Sequence, residues 1–327
     1  NLVSNLLLAA LVVAGVVQVW HLVLLAFISG VARAAEFPTV QALVPNMVPR
    51  EHLLNALALN SASQHGSRLV GPGLTGPVLA AAGAGGAFFL ASAFYLVSLG
   101  LVLRMKTVSK GAVAPSKGVL GNLLAGITYA YSHRLVALII LLVAVHCAFT
   151  MSFEALLPSL SEGRLGAGGE GFSYLMMAVG AGSLVGTLAL AWLKGEKGQG
   201  QLVLWLGLLS GLSPLALAAS TNLPMAGVSA AAMGLSQAGF MTVTATIIQS
   251  TVPDAIRGRV MSIYVLHAGG VMSFANLANG SLADYITAPV LLTVAAAVFL
   301  GALLVSLLVP TLRRLYVGQS ATERAAV

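Results

Sequence analysis

Apolar residues run through this chain in long blocks separated by short polar gaps. About ten blocks are long enough to cross a bilayer, whose apolar core requires roughly 17 to 25 helical residues. They cover residues 2–19, 22–44, 55–81, 85–104, 135–158, 171–193, 201–219, 223–249, 260–284 and 288–310. Because lipid offers no hydrogen-bond partner to the backbone, each block is expected to be helical. The pattern predicts an all-α, polytopic membrane helix bundle.

Basic residues fall in alternate gaps between these blocks, which by the positive-inside rule face the cytoplasm. They are Arg50, Arg104, Lys106, Lys110, Lys117, Arg134, Lys194, Lys197, Arg257, Arg259, Arg313, Arg314 and Arg324. The C-terminus is therefore expected in the cytoplasm. We predict four helices over 1–104, a cytoplasmic loop with an amphipathic helix (121–132) over 105–134, six helices over 135–312, and a tail over 313–327.

Composition narrows the function classes further. With 58% hydrophobic and 8% charged residues, the chain does not fit a soluble monomer. Its net charge of +7 is dispersed among short loops, so no nucleic-acid partner is predicted. The single cysteine, Cys147, excludes an intrachain disulfide and a cysteine metal cluster. Neither metal-ligand nor nucleophile spacing is recognisable, so we predict no cofactor, no metal and no enzyme activity.

An internal repeat relates the two parts of the chain. The sequence Val-Pro-Arg at 48–50 recurs as Val-Pro-Asp at 252–254, an offset of 204 residues. Gly76 and Gly280 each lie 27 residues beyond the proline of their copy. Such an offset is typical of a parallel duplication of a six-helix unit, as in the two halves of major facilitator transporters.

With this repeat, the chain resembles the major facilitator superfamily, in particular its drug and siderophore exporter branch, also called the transmembrane secretion effector group. The most telling stretches are 38–77, PTVQALVPNMVPREHLLNALALNSASQHGSRLVGPGLTGP, and 252–284, which contains VPDAIRGRVMS and ends in GSLAD. The resemblance implies the major facilitator fold with about 10 of its 12 transmembrane helices present. The first two family helices are expected to be missing, and the location is expected to be a bacterial inner membrane.

A stripe of polar residues marks the predicted helix over 55–81. Asn60, Gln64 and Arg68 recur every four residues, so they share one helix face, which is our candidate substrate cavity. A cation near the bilayer midplane is costly, so Arg68 is expected to face protein or water. A purely structural role, in which Arg68 bonds backbone carbonyls at a kink, stays open.

The same helix contains Gly71-Pro72-Gly73-Leu74-Thr75-Gly76, which resembles the Gly-Pro motif of family antiporters. Glycine permits close helix approach, and Pro72 removes a backbone hydrogen bond and is expected to bend the helix. Gly71, Pro72 and Gly76 are therefore the candidate helix-bending residues. Plain helix packing is the alternative.

Arg33 and Glu36 lie one helical turn apart in the preceding predicted helix. In one interpretation they neutralise each other inside the bundle. In the other, Glu36 exchanges a proton and switches its bond with Arg33 or Arg68 between two states. Both interpretations place Arg33 and Glu36 among the coupling candidates.

Charged residues at the cytoplasmic turns of both repeats are candidate gate residues: Arg50, Asp254, Arg257 and Arg259. They either fix the orientation of the helices in the membrane or form contacts of an inward gate that break and reform during transport. Gly182 and Gly186 lie four residues apart in a predicted helix, a spacing that indicates a close helix crossing.

Together these features predict a secondary active transporter that exports a small amphipathic organic compound of the drug, macrolide or siderophore class by alternating access. Proton antiport is the expected energy source, because no phosphate-binding loop is present in the sequence. The expected partners are the substrate, protons and the lipid bilayer, and the protein is expected to be a monomer. The alternatives are a lysophospholipid or lipid flippase of the same fold, and a nonfunctional truncated remnant.

Overall fold

The structure is a computed structural model that describes residues 1–47, 53–105, 118–191 and 198–317. Every secondary-structure element in these ranges is a helix, which confirms the predicted all-α class. The chain divides into two compact units, Asn1–Val113 and Ala114–Val327. Each unit has its own helix packing and is described separately.

The first unit begins with two apolar helices, α1 (Leu2–Val13) and α2 (Val19–Met47). Helix α1 ends earlier than the predicted block over 2–19, because Gly15 adopts a left-handed φ of 68°. The amide of Gly15 bonds the carbonyl of Val12 at 3.1 Å, and that of Val16 bonds the carbonyl of Leu11 at 3.1 Å. This pair of bonds is the glycine-terminated helix end known as the Schellman motif.

Helix α3 (Leu53–Leu103) contains both of the next two predicted blocks. Gly83 interrupts it with φ 64° and ψ −169°, a combination that essentially only glycine adopts. The interruption confirms the break predicted between 81 and 85. A Cβ on Gly85 would come within 2.7 Å of Val13, so α1 packs closely against α3 just beyond this break.

Replacing Gly83 by alanine is expected to lower the free energy of unfolding by about 1 to 3 kcal/mol, because an L side chain is strained at this φ and ψ. The measurement is denaturant unfolding of the purified protein in detergent. Gly100→Ala is the matched control, since Gly100 lies in the same helix with open space around it. Equal stability of both variants would contradict the assignment of strain to Gly83.

The second unit contains nine α-helices and one 3-10 helix within the described residues. They are α4 (Gly118–Ser132), α5 (Arg134–Phe149), the 3-10 helix Ser152–Leu156, α6 (Leu157–Gly163), α7 (Gly168–Ala191), α8 (Gln199–Ala219), α9 (Leu223–Thr251), α10 (Asp254–Leu282), α11 (Ala288–Leu308) and α12 (Pro310–Val317). The helix predicted over 121–132 falls within α4, which packs against α10.

Seven segments of the described chain are long and apolar enough to cross a membrane. Six of them lie in the second unit and match its six predicted blocks: Arg134–Gly163, Gly168–Leu190, Gln199–Ala219, Leu223–Thr251, Ile256–Leu282 and Ala288–Leu308. The seventh, Leu69–Leu103, joins parts of two predicted blocks across Gly83. The first predicted block corresponds to the shorter apolar helix Leu2–Val13, and the second corresponds to α2, which is apolar over Val19–Arg33.

Helices α7 and α9 cross with their backbones in contact. A Cβ on Gly182 would overlap the carbonyl oxygen of Ala231, and one on Gly186 would come within 2.6 Å of the carbonyl oxygen of Leu235. From the other side, Gly234 of α9 faces the backbone of α7 in the same way. The close crossing predicted from the glycine spacing is confirmed, and it brings two spans together without side chains between them.

Hydroxyl groups along the spans often donate to the carbonyl four residues earlier in their own helix. Thr75 bonds Gly71 at 2.9 Å, Thr242 bonds Ala238 at 2.7 Å, and Ser273 bonds Gly269 at 2.8 Å. The same bond recurs elsewhere in both units, at Ser92, Ser229, Thr246, Ser262, Ser281 and Thr293. Serine and threonine thus enter these helices without needing a partner from another helix.

Candidate functional site

The span Arg134–Gly163 is interrupted near its middle. Helix α5 stops at Phe149, and the chain resumes as the 3-10 helix and then as α6. At the interruption the amides of Thr150 and Met151 both bond the carbonyl of His146, at 2.8 and 3.2 Å. The block predicted over 135–158 is present as a span, but it is not one regular α-helix, because the chain breaks after Phe149 and Pro158 lies at the start of α6.

Two side-chain amides satisfy carbonyl groups at this interruption. Gln237 of α9 donates from Nε2 to the carbonyl of Thr150 at 2.8 Å. Asn279 of α10 donates from Nδ2 to the carbonyl of Ser152 at 2.9 Å, and its Nδ2 also lies 2.9 Å from the hydroxyl of Ser152. An unpaired polar backbone group inside a membrane costs several kcal/mol. The two amides therefore stabilise a break that hydrocarbon alone would not tolerate.

His146 anchors the last turn of α5 in the interior of the unit. It is completely buried, and its Nε2 lies 2.8 Å from the hydroxyl of Ser210 on α8. The hydroxyl of Thr150 donates to the carbonyl of His146, and the hydroxyl of Ser210 donates to Thr150 Oγ1 at 3.4 Å. Ser210 must then accept from His146, which assigns the imidazole proton to Nε2.

Aromatic rings enclose this imidazole. The ring of Phe240 on α9 stacks on His146 at a centroid distance of 4.3 Å, and the ring of Phe299 on α11 meets it edge-on at 5.0 Å. Within the described part of the chain, Nδ1 of His146 is buried without a hydrogen-bond partner. Helices α5, α8, α9 and α11 thus meet at His146, whose imidazole makes one hydrogen bond among the described residues, to Ser210.

A second histidine joins α4 to α10. His267 Nδ1 lies 2.8 Å from the carbonyl of Ile263, which can only accept, so Nδ1 carries the proton. The other ring nitrogen, Nε2, then accepts from the hydroxyl of Tyr131 at 2.6 Å. Tyr131 is the next-to-last residue of α4, so this hydrogen bond attaches the end of α4 to α10.

The predicted coupling residues Arg33 and Glu36 both lie in α2, and the first interpretation, in which they neutralise each other, does not hold. Arg33 and Glu36 are both exposed within the first unit. The carboxylate of Glu36 accepts from the side-chain amide of Asn1 at 3.2 Å. No ion pair joins Arg33 to Glu36 among the side chains that the structure describes.

The cavity and helix-bending candidates of the first unit all lie in α3. Asn60, Gln64 and Arg68 are helical, but their side chains fall outside the described residues. Gly71, Pro72 and Gly76 follow in the same helix, which keeps helical φ and ψ through this motif. Thr75 bonds the carbonyl of Gly71, so the motif carries a local hydroxyl bond in addition to the missing amide of Pro72.

The predicted gate residues divide into two groups. Arg50 lies outside the described residues, and Asp254 begins α10 with a side chain that is not described. The guanidinium of Arg257 donates at 3.4 Å to the carbonyl of Val252, the residue that caps α9. The carbonyl of Arg259 would lie 3.0 Å from a Cβ on Gly126, so α4 packs on the start of α10 at this point.

The sequence assigned no role to His146, His267, Gln237 or Asn279, and it did not identify their partners. Ser210, Thr150, Ser152 and Tyr131 are the missed partners. The only indication in the sequence was a polar side chain inside an apolar block. Such a side chain does not identify its own hydrogen-bond partner. No group of three or more histidine, cysteine, aspartate or glutamate side chains in the described ranges is placed to hold a metal ion.

Comparison with known proteins places the chain in a family. The sequence profile of the transmembrane secretion effectors matches residues 1–323. A crystal structure of a POT family transporter in complex with a thioalcohol-conjugated peptide shares the fold, with a TM-score of 0.66 over 94% of this chain and 81% of that chain, at 14% identity. No protein in the set of curated proteins matches the sequence significantly. The chain therefore belongs to the transmembrane secretion effector family of major facilitator transporters, which are multi-pass membrane proteins.

Proposed function

We propose that this protein is a secondary active exporter that moves a small amphipathic organic compound of the drug, macrolide or siderophore class out of the cell. It works by alternating access and exchanges the compound for protons. Family membership supports transport in general. The interrupted span Arg134–Gly163 is the structural observation that carries the more specific mechanism.

Alternating access requires spans that change shape while they remain embedded in lipid. The break after Phe149 provides such a place, because the side-chain amides of Gln237 and Asn279 bond carbonyl groups there in addition to the backbone bonds of the 3-10 helix. The part of the span after the break, residues 150–163, can then tilt relative to α5 while the two side-chain amides keep their bonds to it. A continuous helix would have to break its own hydrogen bonds to make the same movement.

An ion gradient is the proposed energy source, since no phosphate-cradling glycine-rich loop ends in Lys-Ser or Lys-Thr anywhere in the sequence. The proposed coupling and cavity residues remain Arg33, Glu36, Asn60, Gln64 and Arg68. Arg257 and Arg259 of the proposed inward gate lie at the start of α10, where the contacts made by Arg257 and by the backbone of Arg259 would change if α10 moved.

The exporter is proposed to act as a monomer in the inner membrane, with its C-terminus in the cytoplasm and without a nucleic-acid partner. The basic gaps in the sequence support this orientation. Fusions at the C-terminus test it directly. A fluorescent protein is expected to fluoresce there, and alkaline phosphatase is expected to be inactive.

The deciding experiment is efflux from inverted membrane vesicles that contain the protein. Ethidium, erythromycin and an iron-free siderophore are offered as substrates, with and without a protonophore. Uptake into inverted vesicles that collapses with the proton gradient supports the proposal, whereas uptake that survives the protonophore contradicts proton coupling. A fluorescent lysophospholipid is tested in parallel, and its transport in place of the other compounds would indicate a flippase.

Glu36→Gln is expected to abolish uphill, gradient-driven transport while leaving the exchange of substrate across the membrane intact. The amide keeps the size and the hydrogen bond to Asn1 but cannot take up a proton. Glu170→Gln is the matched control, because Glu170 is an exposed acid in the first turn of α7. Unchanged uphill transport in Glu36→Gln would remove Glu36 from the coupling mechanism.

A further inference from the structure

The last helix of the second unit carries charge at the edge of a lipid-facing surface. We propose that α12, together with the adjoining end of α11, forms a binding site for the headgroup of an anionic phospholipid. The site is distinct from the proposed transport pathway. Its parts are a fixed amphipathic helix, an exposed arginine pair, and apolar surface for acyl chains.

Helix α12 has two different faces. Leu312, Leu315 and Tyr316 are buried, with exposed fractions of 3%, 1% and 4%. Arg313 and Arg314 lie between them in sequence and are exposed. The apolar face packs into the unit, and the two guanidinium groups therefore point away from it.

The bundle holds this helix firmly. A Cβ on Gly200, at the start of α8, would overlap the carbonyl oxygen of Leu315, so the two backbones touch. The hydroxyl of Ser306 donates to the carbonyl of Leu303, and its oxygen accepts from the Tyr316 phenol at 2.8 Å. Burial raises the pKa of Tyr316 above its ordinary value, so the phenol keeps the proton that this bond requires. The arginine pair is thereby held in place before any ligand arrives.

Apolar surface for lipid chains lies directly before the arginine pair. On α11, Leu304, Val305 and Leu308 are exposed by 57%, 60% and 80%. Trp205, near the start of α8, is 67% exposed, and tryptophan is enriched where hydrocarbon meets headgroups. Since α8 begins beside α12, these residues place Arg313 and Arg314 at headgroup depth.

A further basic residue begins one of the helices that pack against α12. Arg134 begins α5 and is exposed, and the next two residues, Leu135 and Val136, share a hydrophobic core cluster with the buried face of α12. The stretches 134–140, 198–205 and 309–317 contain no acidic residue. No carboxylate within these stretches competes with a phosphate for the guanidinium groups.

The chemistry of the site selects a membrane lipid. Arginine binds phosphate through paired, charge-assisted hydrogen bonds. A soluble phosphate would use the guanidinium groups but not the exposed leucine and valine surface. A phospholipid with a net negative headgroup, such as phosphatidylglycerol, uses both.

The test is titration of the purified protein with phosphatidylglycerol in detergent, with bound lipid counted by native mass spectrometry. Arg313→Gln with Arg314→Gln is expected to weaken binding about 30-fold, from roughly 1 kcal/mol for each basic residue near a headgroup. Arg313→Lys with Arg314→Lys is expected to retain most of the affinity. Phosphatidylcholine and soluble glycerophosphoglycerol are expected to bind weakly to every form.

Arg104→Gln is the control, because Arg104 is an exposed cation of the first unit. Unchanged phosphatidylglycerol binding in the double glutamine variant, or an equal loss in Arg104→Gln, would overturn the proposal. Glycerophosphoglycerol binding as tightly as the lipid would also overturn it. Thermal unfolding of each variant identifies any loss of fold. If the double glutamine variant is unfolded, lipid binding of the wild-type protein is compared with that of the double lysine variant instead.

Discussion

Replacing Gly182 by alanine is expected to lower the free energy of unfolding by about 3 kcal/mol or more. The added Cβ would occupy the position of the Ala231 carbonyl oxygen, so α7 and α9 would have to separate. Adding a methyl group to a packed interior typically costs about 1 to 3 kcal/mol, and here the obstacle is backbone, which cannot rotate away. Thermal and denaturant unfolding of the purified protein measure the loss.

Gly301→Ala provides the matched control for this prediction. Gly301 lies within α11, and no atom of a neighbouring residue comes within 4 Å of the position that its Cβ would take, so the replacement meets open space. Alanine also favours a helix over glycine by up to about 1 kcal/mol. Gly301→Ala is therefore expected to be neutral or stabilising. A Gly182→Ala protein as stable as its Gly301→Ala counterpart would contradict the backbone contact between α7 and α9.

Replacing Gln237 by leucine is expected to destabilise the protein by about 1 to 3 kcal/mol, because the buried carbonyl of Thr150 loses its donor. Leucine fills nearly the same volume, so the effect isolates the hydrogen bond. If the interrupted span moves during transport, the variant is also expected to transport more slowly. Unfolding and vesicle transport are measured on the same preparations.

The control for this change is Gln201→Leu, which makes the same replacement at an exposed position near the start of α8. It is expected to change neither stability nor transport. Asn279→Leu is a second test of the same idea, since Asn279 bonds Ser152 on the other side of the interruption. If both amide variants behave like Gln201→Leu, the amides do not stabilise the break.

Much of the fold was predictable from residue type and spacing. Block length identified the six spans of the second unit, and glycine spacing indicated a close helix crossing on α7 without identifying α9 as the partner. The break at Gly83 was also visible as a glycine-rich gap. Each of these features has a local cause, and local causes are readable from a linear pattern.

The interrupted span was not predictable for the opposite reason. Thr150, Ser152 and Glu154 make the block more polar at the break, but they do not identify the side-chain donors there, which lie 87 and 127 residues away in sequence. The hydrogen bond that His146 donates to Ser210 similarly spans 64 residues. A polar residue in an apolar block indicates that a partner exists, and only the folded structure identifies that partner.

The hydroxyl bonds within single helices have a consequence for how the chain enters the bilayer. Hydropathy scales penalise each serine and threonine as an open polar group, yet Thr242, Ser273 and others already donate their proton to their own helix. Such residues present the translocation machinery with a hydroxyl whose donor is already satisfied. Insertion efficiency should thus follow the number of unsatisfied donors on each segment, and exchanging these hydroxyl residues for alanine should barely alter it.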